Sequence, residues 1–266
     1  RSKSIVIWQR PLPESRNLQW QYLQWLRKKG CILLTEWDDS PKLFPNNIHN
    51  KLTKIKMAPL ELCHCIHTSN YKLLKELNKY NPIGISIDNT INNIPKLDLI
   101  KHEDHKIRVF IGNQNRHIEH EMLSEGLKEL VLKESNIKLI IIEDEKIVKS
   151  LPKKSFEYFN LLEYEQYRNL LSTCHIALLP LIENPENACK TPIKLIECAA
   201  ESVVGIVGPC LYKRTCPKEC SIQIDSLKEI IKRTEDISKN KELRKSISYR
   251  AHNWVKKYWT TQDHLT

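Results

Sequence analysis

The sequence predicts an α/β chain built from parallel, doubly wound sheets. Three observations predict it. Short apolar runs of strand length recur along the chain and alternate with segments whose apolar residues return at helical spacing. The stretch from His175 to Gly208, HIALLPLIENPENACKTPIKLIECAAESVVGIVG, sets an apolar strand, a polar loop, a helix start and a second apolar strand in one βαβ run. The series is interrupted at Asn92-Asn93-Ile94-Pro95, where polar residues and a proline read as a linker between two such sets.

The elements follow in order. Ile5 to Gln9 reads as the first strand, and Leu18, Tyr22, Leu23 and Leu26 then return at helical spacing until Gly30 ends that helix. CILLTEW is a buried strand running into Trp37-Asp38-Asp39. A polar loop leads to the strand CHCIHTS, a helix across Tyr71 to Tyr80, and a strand at IGISID ending near Asn89. After the linker come the strand KIRVFIG, a helix from Glu119 to Lys133, the strand KLIIIED and the short strand SFEYFN. A helix over Glu163 to Ser172 precedes the strand from Ile176 to Leu181. Thr191-Pro192 predicts the next helix start: a hydroxyl at the N-cap satisfies an orphan backbone donor, and proline is tolerated at the first helical position. Two Lys-rich helices close the chain.

Size and composition narrow the classes. A chain of 266 residues can bury one large core or two modest ones. No apolar run approaches bilayer length and no signal peptide is visible. The chain opens on Arg1 and enters a strand almost at once, which gives it the look of an excerpt from a longer protein. Its net charge of +10 is concentrated late, with 13 Lys/Arg against 6 Asp/Glu between Lys213 and Lys257. Interleaved aromatics and RRM, KH or helix-turn-helix signatures are missing, so no nucleic-acid partner is expected. Solvated helix faces account for most of these lysines, and an anionic membrane surface is the functional alternative. The nine cysteines read as reduced thiols. Cys63-His64-Cys65 with His67 alternates across a strand, and Cys210, Cys216 and Cys220 fit no standard zinc spacing, so no metal site is expected.

Chemistry concentrates at the Thr191-Pro192 helix. Its start directs N–H groups and the positive end of the helix dipole to the carboxyl end of a strand, where open α/β sheets bind phosphates. Lys190 and Lys194 flank that point, and Glu197 lies one turn beyond Lys194 on the same face. Two cations, a helix N-terminus and one carboxylate suit a diphosphate joined to a sugar whose hydroxyls need an acceptor. An ordinary capped helix with a solvated Lys/Glu pair is the plain alternative.

This segment resembles the donor-binding region of GT-B glycosyltransferases, especially bacterial enzymes related to retaining family 4. The matching residues are Pro180, Leu181, Asn187, Lys190, Thr191, Pro192, Lys194 and Glu197. The resemblance implies two Rossmann-like doubly wound domains facing a cleft, the N-terminal one incomplete. It implies residues 1–97 as the partial acceptor-side domain, 98–240 as the nucleotide-sugar-binding domain, and 241–266 as a helix packing back toward the first. Glu197 would accept from the nucleotide ribose, with Lys190 and the backbone at Thr191 on phosphate or sugar and Lys194 supporting that charge. The family's acidic residue eight positions before the ribose glutamate is Cys189 here, and its Gly-x-Pro turn after the helix is replaced by Glu201-Ser202-Val203-Val204.

The resemblance extends to QRPLPES, LLTEWDDSP and CHCIHTS in the first half. Gly112, Asn113 and Arg116 sit in the turn that lies under the pyrophosphate in such enzymes; a plain strand-to-helix turn explains them equally. Glu143-Asp144 stands where relatives show a glycine-aspartate turn. Tyr164 and Tyr167 fall in the nucleobase region, although helical packing accounts for their spacing. Asp38 and Asp39 face the implied cleft but also spell an ordinary turn. No catalytic base is assigned. The implied activity is transfer of a sugar from a nucleotide-sugar donor to a cell-surface glycan or lipid-linked acceptor, without cofactor or metal. The implied setting is bacterial polysaccharide biosynthesis, cytoplasmic and peripheral at the inner face of the membrane. A non-catalytic GT-B-like binding domain and a basic nucleic-acid or membrane adaptor are the rival readings.

Overall fold

The computed structural model describes residues 4–9, 16–44, 46–55, 57–112 and 117–264. Contacts divide the chain into two compact units, residues 1–89 with 184–191 and residues 90–183 with 192–266.

The first unit runs β1 (Ile5–Gln9), α1 (Arg16–Lys28), β2 (Ile32–Trp37), α2 (Asn46–Lys54), α3 (Ala58–Leu62), β3 (Cys65–Thr68), α4 (Tyr71–Leu77) and β4 (Gly84–Ser86). Its four strands are parallel and lie side by side in chain order. Right-handed crossovers that advance in one direction put every connecting helix on the same face of a sheet. That face buries Leu33, Trp37 and Ile66 beneath Leu23, Leu52, Leu60 and Leu73. The opposite face carries Ile5, Ile7, Ile32 and Ile85, all exposed.

Two expectations change here. The stripe foreseen on α1 is split: Leu23 and Leu26 are buried with Gln19, whereas Leu18 and Tyr22 are 58% and 54% exposed. The helix packs on α3 and β2, which accept only the 19/23/26 face. The loop foreseen between β2 and β3 contains α2 and α3, which hold nine and five residues. Both are too short and, in α2, too polar to show a helical period.

The second unit runs β5 (Ile107–Gly112), α5 (His117–Lys133), β6 (Ile137–Ile142), α6 (Glu145–Ser150), β7 (Phe156–Phe159), α7 (Tyr164–Ser172), β8 (Ile176–Leu179), α8 (Ile193–Ala200), β9 (Val204–Val207), α9 (Tyr212–Thr215), β10 (Ile222–Gln223), α10 (Ile230–Lys239) and α11 (Lys241–Tyr258). All six strands are parallel, in the order β10-β9-β8-β5-β6-β7. The chain steps outward from β5 through β6 to β7, then returns to place β8 on the other side of β5. The order therefore reverses between β5 and β8, the point where doubly wound sheets open a crevice at their carboxyl ends. Val109, Ile111, Leu139, Ile141, Ile176 and Leu178 fill the centre of its core. Helix α11 belongs to this unit and packs on α8 and β9.

A shared device ends one ladder in each sheet. His64 precedes β3 and His175 precedes β8. Each donates its backbone N–H to the neighbouring strand, to Leu33 O and Arg108 O. Each also accepts that residue's N–H on ring Nδ1, at 3.0 Å. The imidazole stands in for a missing carbonyl. Most of the late cations are engaged as well: Lys239 pairs with Glu134 and Glu235, Lys241 with Glu103, and Arg244 is buried against the carbonyls of Ile237, Ser238 and His102.

Candidate functional site

The reversal of strand order places Gly112 at the end of β5 and Pro180-Leu181 just beyond β8 on the two sides of the crevice. Asn113 and Arg116 lie outside the described residues. A Cβ on Gly112 would stand 3.0 Å from Cζ of Phe110, so the bare glycine leaves room for that ring. Beside it, Gly208 follows β9 so closely that a Cβ would meet Leu181 N at 2.5 Å and Leu181 O at 2.7 Å.

Helix α8 leaves β8 on this side. Its first helical residue is Ile193, and the Pro192 carbonyl accepts from Leu195 N at 2.9 Å and Ile196 N at 3.1 Å. Thr191 is not the cap foreseen for it. Its hydroxyl accepts from Asn89 Nδ2 at 3.2 Å, and Pro192 holds the N-cap position without a side-chain bond. The helix ends at a turn in which Ser202, at φ +58°, takes the left-handed conformation that glycine usually supplies. Three bonds hold it there. Its hydroxyl accepts from Asp98 N, and its carbonyl accepts from Ser248 Oγ and His102 Nε2, each at 3.0 Å.

Glu197 lies in the middle of α8 and is buried, with 7% exposure. Tyr167 on α7 donates its hydroxyl to Glu197 Oε2 at 3.0 Å. Arg168, next along α7, donates Nε to Glu201 Oε1 at 2.8 Å and Nη1 to the hydroxyl of Tyr164 at 3.0 Å. Helix spacing makes this network: positions 164, 167 and 168 share one face of α7, and 197 and 201 share one face of α8. Burial pushes the Glu197 carboxyl above its ordinary range against the opposing pull of Tyr167 and of the Arg168 and Lys194 charges. Burial and the neighbouring Glu197 push Tyr167 well up, so its phenol remains a donor. Its ring meets Phe110 edge-on, centroids 5.9 Å apart at 61°.

The remaining candidates divide by unit. Lys194 is half-buried one turn before Glu197. Asn187, Lys190 and Thr191 sit in the segment that belongs to the first unit. There Asn187 is buried, the Lys190 carbonyl accepts from Asn70 Nδ2 at 3.0 Å, and Cys189 joins a core with Trp37 and Leu52. The Cys189 thiol donates to Glu76 Oε2 at 3.5 Å, and burial raises it to about 11. Asp38 and Asp39 follow β2 in that unit and are half-buried. The structure thus joins Glu197 and Tyr164 in one network, with Gly112 linked to it through Phe110. Sequence reasoning assigned no role to Phe110, Arg168 or Glu201, and weighed Tyr167 as packing.

At the end of β6, Glu143 adopts φ +59°, so the backbone keeps the left-handed turn without the glycine. Asp144 then caps α6 through Ile147 N at 3.1 Å and accepts from His120 Nδ1 at 2.7 Å. A hollow of about 500 Å³ opens there, lined by Glu143, Asp144, Glu145, Lys146, Tyr158 and Asn160. Three carboxylates make it a poor seat for a diphosphate. Among the described residues, no group of three or more His, Cys, Asp or Glu side chains is placed to hold a metal ion. All nine cysteines are free, and all but Cys31 and Cys65 are buried.

No protein-family model matches the chain, and no curated protein matches it by sequence. Solved structures do match. TarM of S. aureus, in complex with fondaparinux, alpha-GlcNAc-glycerol and UDP, superposes with a TM-score of 0.66 at 11% identity, over 89% of this chain and 50% of that one. The fold is GT-B. Sucrose-phosphate synthase of Thermosynechococcus elongatus gives 0.68 at 12% identity, over 97% and 70%. Anabaena HepE in complex with UDP and glucose gives 0.66 at 9%, over 92% and 72%. At such identities the likeness is one of fold. The chain spans about half the length of TarM. In the GT-B fold the second unit is the doubly wound sheet with its strand order reversed between β5 and β8, and α8 with Glu197 rises beside that reversal.

Proposed function

We propose that the chain forms the nucleotide-sugar-binding part of a glycosyltransferase, which passes a sugar from a nucleotide-sugar donor to a glycan or lipid-linked acceptor. The observation that carries this reading is Glu197: a buried carboxylate that accepts from the phenol of Tyr167, with the Arg168 and Lys194 charges nearby, on the helix that leaves the strand-order reversal of a GT-B fold. A buried acid with spare acceptor capacity suits the paired hydroxyls of a ribose. Lys190, Thr191, Arg116, Gly112 and Asn113 are assigned to the phosphates and Lys194 to supporting charge, so that leaving-group stabilisation carries the reaction without a resident metal or cofactor. The solved complexes of HepE and TarM with UDP support a uridine donor, and the resemblance supports an acceptor among bacterial surface polysaccharides and a setting at the cytoplasmic face of a membrane.

Titration of the purified chain with UDP, GDP, CDP and dTDP, alongside Glu197→Ala and Lys190→Ala, tests the donor site. Micromolar binding of one diphosphate, weakened at least tenfold by either substitution, is expected. A folded chain that binds none of them overturns the reading. Cys189, buried where relatives place an acid, favours a second reading: a GT-B-like domain that binds the donor without turnover. Release of free sugar or transfer from the bound nucleotide-sugar separates the two.

A further inference from the structure

We infer that Tyr167 is a positioning residue that fixes the Glu197 carboxylate for a ribose, so that the site takes ribonucleoside diphosphates in preference to deoxyribonucleoside diphosphates. This rests on the donor reading above. Two acids on α8 face α7, and they are treated differently. Glu201 receives the Arg168 guanidinium, through Nε at 2.8 Å and Nη2 at 2.5 Å. Glu197, equally buried, receives phenol hydroxyls, that of Tyr167 at 3.0 Å and that of Tyr164, with the Arg168 and Lys194 charges nearby. An acid whose only task were to tie the helices together would be better served by the cation, since charge-assisted bonds are the stronger ones. Phenols donate one hydrogen each and leave part of the carboxylate's acceptor capacity for incoming hydroxyls.

The phenol itself is held in place. The Tyr167 ring meets Phe110 edge-on at 5.9 Å and leans on Tyr164 at 6.2 Å. Phe110 has its position because Gly112 carries no Cβ, which would otherwise stand 3.0 Å from its ring. A line of contacts therefore runs from the end of β5 through Phe110 and Tyr167 to the carboxylate. It sets the plane of that carboxylate before any ligand arrives, which lowers the cost of ordering it on binding.

The test compares affinities for UDP and 2′-deoxy-UDP, with GDP and 2′-deoxy-GDP as a second matched pair, on wild type, Tyr167→Phe and Glu197→Gln. Tyr167→Phe removes one oxygen and keeps the ring on Phe110. Wild type is expected to prefer the ribonucleotide about tenfold, and both variants to narrow that ratio to about twofold or less. A Tyr167→Phe protein that weakens both nucleotides equally, or keeps the full ratio, overturns the positioning role. Wild type that binds ribo and deoxy forms alike overturns the ribose preference and leaves the donor reading standing. Wild type that binds neither pair, nor CDP or dTDP, overturns both. Phe110→Leu, which loosens the ring without touching the hydroxyl, gives the same readout should Tyr167→Phe fail to fold, and a full ratio there overturns the proposal.

Discussion

At Ser202 a non-glycine residue occupies a left-handed turn, and its three hydrogen bonds offset the conformational cost. The two terms can be separated by substitution. Ser202→Ala keeps the strain and orphans Asp98 N, so a loss of about 1 kcal/mol is expected. Ser202→Gly loses the same bond but relieves about 1 kcal/mol of backbone strain, so it should be near neutral. Alanine less stable than glycine by chemical denaturation is the expected order, and the reverse order would refute it. Gly208 has no such latitude, because its missing Cβ is replaced by the backbone of Leu181. Gly208→Ala forces that backbone to move and should cost upward of about 2 kcal/mol, read as a fall in the denaturation midpoint. Glu197→Gln presents the opposite case. The carboxyl sits above its ordinary range, so ionising it opposes folding. The variant is expected to melt no lower than wild type while losing at least tenfold in nucleotide affinity.

Among elements, the strands were the most legible. IVIWQ, ILLTEW, CIHT, IRVFIG and IKLIII each carry enough β-branched or leucine side chains to mark a strand, and all are strands. Helices were legible only where a period could develop. The 17-residue α5 is foreseen, whereas the five-residue α3 is not, because fewer than two turns leave no recurrence to read. Which face of α1 is buried was not legible either, since Leu18, Tyr22, Leu23 and Leu26 are equally apolar and only the partner surface decides. The difference is measurable. Leu23→Ala should cost about 2–5 kcal/mol, and Leu18→Ala less than about 0.5 kcal/mol. The site shows the same limit. Lys194 and Glu197 declare themselves by spacing on one helix, but the bond from Tyr167 to Glu197 joins residues 30 positions apart. Periodicity on α7 alone cannot tell a packing tyrosine from a donor.

For the whole molecule, the buried titrating groups bound stability on both sides. Burial lowers His64, His102 and His175, with His102 pushed down to about 3. Each binds a proton more readily in the unfolded chain, so stability should fall as pH drops below about 6.5 toward those lowered values. His64 and His175 add a structural reason, because a protonated Nδ1 can no longer accept the N–H that closes the ladder. On the alkaline side, burial raises Cys63 and Cys216 to about 12 and Cys174, Cys189 and Cys220 to about 11. These thiols ionise first in the unfolded chain, so stability should decline as pH rises past about 8.5. Lys101, lowered to about 8 by burial, slopes the other way but is one group against five. Melting temperatures across pH should therefore form a plateau between about 6.5 and 8.5 with both flanks falling. A curve still rising at pH 10 would contradict it.

The segment 184–191 has a further consequence for how the chain comes into being. It supplies Cys189 to the core around Trp37 and the carbonyl that Asn70 binds, yet Lys190 is synthesised 120 residues after Asn70 and Cys189 later still relative to Trp37. An N-terminal unit emerging from the ribosome must wait, with that part of its core unfilled, until strand β8 has already been made. A fragment stopping at residue 97 would never receive its last piece.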